Sequence, residues 1–152
     1  MKVKPLQSLT NRVFLWGAVC WIGMLAFLAV QPEAVVELIL RKKSLFEPAH
    51  VVAYAILSFF LCLYFRSAFR RFGDLAFVCV LAFLVSALCG GITEWIQIFS
   101  LDRIPDWLDF RMDLLGSVSG ISLFLIVRSR RAFRAALEPE SIQLPKRRQS
   151  SV

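Results

Sequence analysis

Three runs of this chain are apolar over the length of a bilayer and carry no aspartate, glutamate, lysine or arginine: residues 13–30, 49–65 and 75–93. A helix needs about 20 predominantly apolar residues to cross a ~30 Å hydrocarbon core. In that medium every backbone polar group must be bonded within the chain, so helices and closed barrels are the only spanning structures. The runs lack the apolar–polar alternation of strands, so helices are predicted. A fourth run, 114–127, is too short to cross alone. For it to span, its helix must begin near Asp109, which draws Asp113 and Asp109 into the outer bilayer. The composition agrees: 58% of the 152 residues are hydrophobic, with 14 phenylalanines. Such values lie above those of soluble domains. The predicted fold is all-α, an integral membrane four-helix bundle over residues 1–128. Residues 129–152 are read as a basic, disordered cytoplasmic tail.

Lysine and arginine set the orientation. Thirteen of the 18 lie in the N-terminal segment, the second loop and the C-terminal tail; five (Arg41, Lys42, Lys43, Arg103, Arg111) lie in the first and third loops. Both termini are therefore expected to be cytoplasmic. The net charge of +7 is accounted for by this asymmetry and the tail, with no need of a nucleic-acid partner. The first run exceeds the apolar core of a signal peptide, and Ala29-Val30-Gln31 offers no small-x-small cleavage site, so an uncleaved first helix is expected. Cys20, Cys62, Cys79 and Cys89 fall within the runs without CxxC spacing and read as small apolar packing residues.

Polar residues then converge on the outer face. His50 opens the second span, Glu94 and Gln97 close the third, and Arg103, Asp106, Asp109 and Asp113 lead into the fourth. Ionisable groups at membrane depth are costly and mark sites or buried networks. Ala82, Ser86, Gly90 and Glu94 recur every four residues, with Gln97 three further on, and so share one helix face. Asp109, Asp113, Gly116 and Gly120 form a comparable row, and His50, Tyr54, Ser58 and Cys62 a looser one. Small residues repeated in this way mark close helix packing in lipid. Gly90, Gly116 and Gly120 are the expected contacts, and His50, Glu94, Gln97, Arg103, Asp106, Asp109 and Asp113 the candidate ligand-binding residues. Simpler roles compete: Asp106 as a helix cap, Arg103 as a partner for Asp106 or Asp109, His50 as an interfacial side chain, and Trp95 and Trp107 as belt aromatics.

Two blocks, EPAHVVAYAILSFFL (47–61) and EWIQIFSLDRIPDWLDFRMDLLGSVSG (94–120), resemble the VanZ-like family of small bacterial membrane proteins. The family's Glu, Gln and Arg match Glu94, Gln97 and Arg103; its paired aspartates match Asp106 and Asp109, and its closing glycines Gly116 and Gly120. Where the family usually has an Asp-Lys pair before the histidine, this chain has Phe46 and Glu47. Where the family commonly has asparagine, it has Asp113, so the site is more negative here. The resemblance implies a multi-pass protein of the bacterial cytoplasmic membrane with a cell-envelope role, linked in the founding member to teicoplanin-type glycopeptide resistance.

The leading expectation is a non-catalytic protein whose extracytoplasmic polar pocket binds an anionic or polar headgroup, such as an envelope precursor or other amphipathic ligand. Arg103 would meet the anion, and Glu94, Gln97, Asp109 and Asp113 would position it. That reading requires no cofactor and no metal, has membrane lipids as partners and admits a homo-oligomer. One alternative is an embedded enzyme in which His50 with Glu94, Asp109 or Asp113 forms an acid–base group or divalent-metal site. Another is a small proton-coupled transporter.

Overall fold

The computed structural model describes residues 5–40, 46–69, 74–99 and 107–137. It has five helices among those residues: α1 (Pro5–Ala29), α2 (Glu33–Leu40), α3 (Phe46–Ala68), α4 (Leu75–Gln97) and α5 (Trp107–Leu137). All but α2 are long and apolar enough to cross a membrane. At ~1.5 Å per residue, the 23 residues of α3 and of α4 each extend about 34 Å.

The fourth long helix begins at Trp107, ahead of Asp109, and so makes up the deficit of the short apolar run. It also continues through Arg128 to Leu137, so the first part of the basic segment prolongs the helix. Pro48 sits in the first turn of α3, where its missing N–H deprives the helix of no bond. The short helix α2 lies in the stretch read as the first loop. Its start is held by the Pro32 carbonyl, which accepts from the amides of Val35 and Val36. Val36 is buried and Leu38 is exposed, an apolar split too brief to be separated from a loop by periodicity.

Contacts between helices fix their directions. Gly116 lies against Val51 and Tyr54, and Gly120 against Ala55 and Ser58, so α3 and α5 run parallel. Gly90 faces Asp113 while Ser86 meets Ser117, so α4 runs antiparallel to α5. Trp21 of α1 donates its indole N–H to the Ala53 carbonyl at 2.9 Å, and the Ser67 hydroxyl donates to Asn11, so α1 runs antiparallel to α3. The result is an up-down-up-down bundle in which α3 and α5 form the closest pair. Its core joins Ala18, Tyr54, Leu57, Leu61, Cys62, Ala82 and Phe124.

The outer surface is apolar. On α4, Val78, Ala82, Ser86, Gly90, Glu94 and Gln97 are buried, whereas Phe77, Val80, Leu84, Leu88 and Trp95 are exposed. This helix therefore turns its small and polar residues inward and its large apolar ones outward, as expected of a helix in lipid. In water such a continuous apolar surface would drive association.

A His–carboxylate cluster as the candidate functional site

The helix directions bring the start of α3, the end of α4 and the start of α5 to one end of the bundle. His50 is about one turn into α3, and its position four residues before Tyr54 puts it on the face that packs against α5. Asp109 lies in the first turn of α5, where a negative charge complements the helix dipole. Asp113 follows one turn later on the same face. Glu94 and Gln97 occupy the last turn of α4 on its buried side.

His50 joins the two aspartates. Its Nδ1 lies 2.8 Å from Asp113 Oδ1 and its Nε2 lies 3.8 Å from Asp109 Oδ2. The first is a hydrogen bond in which the ring N–H donates to the carboxylate. The second is too long for a direct one. The His50 and Asp109 side chains remain 18% and 27% exposed, whereas Asp113 is fully enclosed. Asp113 Oδ2 has no hydrogen-bond partner although it is buried. That oxygen is turned toward α4: a Cβ on Gly90 would lie 3.0 Å from it. The absence of a side chain at Gly90 is what lets the carboxyl reach α4 one turn from Glu94. Gln97 Nε2 donates to Glu94 Oε1 at 3.4 Å, a long and weak contact.

Hydroxyl groups line the inner side of the cluster. Thr93 Oγ1 donates to the Gly90 carbonyl at 2.9 Å, so in its 2.7 Å bond with Tyr54 the phenol is the donor. Ser117 likewise donates to the Asp113 carbonyl at 2.8 Å, and so accepts from Ser86 at 2.7 Å. Both hydroxyl pairs bridge α4 to its neighbours, and neither spends a donor on the carboxylates. Thr93 and Ser117 were not singled out in the sequence. The available signal was their spacing, three residues after Gly90 and four after Asp113.

The expected residues thus divide into two groups. His50, Glu94, Gln97, Asp109 and Asp113 stand at one end of the bundle, and Gly90, Gly116 and Gly120 are buried at helix contacts behind them. Arg103 and Asp106 lie outside the described residues. His50, Glu94 and Asp113 each offer a ligand atom within 4.8 Å of the others. The described part of the site is therefore rich in carboxylates around a single imidazole, a donor set for a cation or for shared protons. Comparison of the chain with protein-family models, with curated proteins and with solved structures yields no match.

Proposed function

We propose that this chain is a VanZ-like multi-pass protein of the bacterial cytoplasmic membrane whose polar cluster receives the headgroup of an amphipathic envelope molecule. The observation that carries this reading is the gathering of His50, Glu94, Gln97, Asp109 and Asp113 at one end of helices whose other surfaces are apolar. A headgroup can reach a site at that level while its apolar tail remains in lipid. Exposed aromatics at the same end support the placement. Trp95 packs edge-on against Phe99, and Trp107 against Phe110, as suits side chains at a headgroup boundary.

The lysine and arginine bias puts this end outside the cell. In a cysteine-free background, Phe99→Cys is expected to react with an impermeant maleimide added to intact cells, and Ser129→Cys only after permeabilisation. The reverse pattern would move the site to the cytoplasmic face and refute an extracytoplasmic ligand.

Glu94→Gln tests the site itself, because it keeps the side chain's shape and removes its charge. Protein purified in mild detergent is expected to keep wild-type yield and melting temperature while losing a lipid or small molecule that mass spectrometry finds with the wild type. A variant that retains the same bound species, or loses it only in proportion to folded protein, would reduce the cluster to scaffolding.

A further inference from the structure

We infer that His50, Glu94 and Asp113 together bind one divalent transition-metal ion of the zinc or manganese kind. The inference rests on the reading of this cluster as a binding site and specifies what lies at its floor. Three observations carry it. One ligand atom from each residue lies within 4.8 Å of the others, and the three come from three different helices. Ligands about 2.0–2.2 Å from a common ion are separated by about 3.3–3.6 Å in a tetrahedral set. The 2.8 Å between His50 Nδ1 and Asp113 Oδ1 and the 4.8 Å limit of the whole set lie to either side of that spacing, so side-chain adjustments on the order of 1 Å close the three around an ion.

The second observation is independent of that clustering. Asp113 is fully enclosed, yet its Oδ2 is without a partner and faces α4 across the bare Gly90 backbone. A buried carboxylate oxygen left unsatisfied keeps the full cost of its desolvation, and more so when charged. Tyr54 and Thr93 supply it no donor, since Tyr54 donates to Thr93 and Thr93 to the Gly90 carbonyl. A cation held through both oxygens of Asp113 satisfies the orphan oxygen and offsets the carboxylate charge in one step.

The third is the second nitrogen of His50. With Nδ1 on the ion, Nε2 carries the proton and has Asp109 Oδ2 3.8 Å away, within ion-pair distance. A ligating imidazole that turns its other N–H toward a carboxylate is the common outer-shell arrangement, and it fixes the tautomer. One imidazole with two carboxylates selects against magnesium and calcium, which take all-oxygen sets, and suits zinc or manganese. Three protein ligands leave a coordination position open on the exposed side of the cluster. The ion would also cancel the charges of Glu94 and Asp113, and its open position would let it coordinate an oxygen of a headgroup phosphate or carboxylate directly.

The test uses full-length protein in lipid nanodiscs, stripped with chelator and dialysed against Zn²⁺ or Mn²⁺. Metal content, binding isotherms, circular dichroism and copurifying lipid are read together. Wild type is expected to hold one ion per chain and Asp113→Asn none, with helix content unchanged; His50→Ala should also hold none, at a lowered melting temperature. Asp113→Asn is the sharper variant, since its amide oxygen can still accept from His50 while the carboxylate is gone. Asp109→Asn should weaken binding by about 10–100-fold without abolishing it, as loss of an outer-shell carboxylate does. Asp74→Asn, at the opposite end of the bundle, should bind as wild type. Wild type that takes up no ion, or variants that take up as much as wild type, would overturn the inference. Failure to bind metal while the headgroup species still copurifies overturns the ion alone. Stoichiometric metal without any bound headgroup supports the ion and refutes the headgroup function.

Discussion

Gly120→Ala should remove most of the folded protein, because the space a methyl group would need is already taken by the Ala55 carbonyl and the Ser58 hydroxyl of α3. A flexible side-chain tip can turn aside, but a helical carbonyl moves only with its helix. Overpacking a well-filled core costs about 1–3 kcal/mol, and contact with backbone places this site at or above the upper end. Parting α3 from α5 would also loosen His50 from Asp113, two turns further toward the site, so stability and the polar cluster fail together. Gly23 is the control. It lies in α1 with open space where its Cβ would be, and there alanine should be neutral or gain up to about 1 kcal/mol from helix propensity. Melting temperature and monodisperse yield in detergent measure both. A Gly120→Ala protein that melts with the wild type would mean that α3 and α5 are not in backbone contact. Val80→Leu, on the exposed face of α4, should be tolerated.

The second large effect concerns the His50–Asp113 pair, measured in chelator so that no ion contributes. His50→Leu leaves both oxygens of a fully enclosed carboxyl unpartnered. Removing one member of a buried pair costs about 3–5 kcal/mol when the other stays charged. Adding Asp113→Ala to His50→Leu takes away the stranded group and should recover most of that loss, since exchanging both partners for apolar groups is close to neutral. The double variant should nevertheless bind neither ion nor headgroup. A double variant as unstable as the single one would show that the pair is not coupled, and that His50 matters for packing alone. Full recovery of stability with full binding would exclude both residues from the site.

Much of this bundle was legible from residue spacing. In a helix surrounded by lipid, the face turned to neighbouring helices differs from the outer face in residue size and polarity, and a period near 3.6 exposes that difference. The row Ala82, Ser86, Gly90, Glu94 and Gln97 is buried along its whole length. Asp113, Gly116 and Gly120 are buried as well, and Tyr54, Ser58 and Cys62 line the matching face of α3. That α5 starts well ahead of its uncharged run, near Asp109, followed from the shortness of that run. Helix α2 did not, because eight residues span barely two turns and carry too little periodic signal.

Partners within the cluster were beyond reach of the same reasoning. Periodicity tells which side of a helix is inward but not its depth or rotation relative to another helix. His50 and Asp113 are 63 residues apart and Tyr54 and Thr93 39 apart, and each meeting depends on axial register. That register is decided where Gly116 and Gly120 let α5 close onto the carbonyls of Val51 and Ala55. A slip of one turn, about 5.4 Å, would leave every inward row inward and yet separate the imidazole from both aspartates. The sequence by itself therefore determined the four long helices, their inward faces and the end of the bundle where polar groups collect. Only the tertiary structure decided that His50 bridges Asp109 and Asp113, and that one oxygen of Asp113 is left facing α4 without a partner, because close packing between backbones sets distances that residue order does not encode.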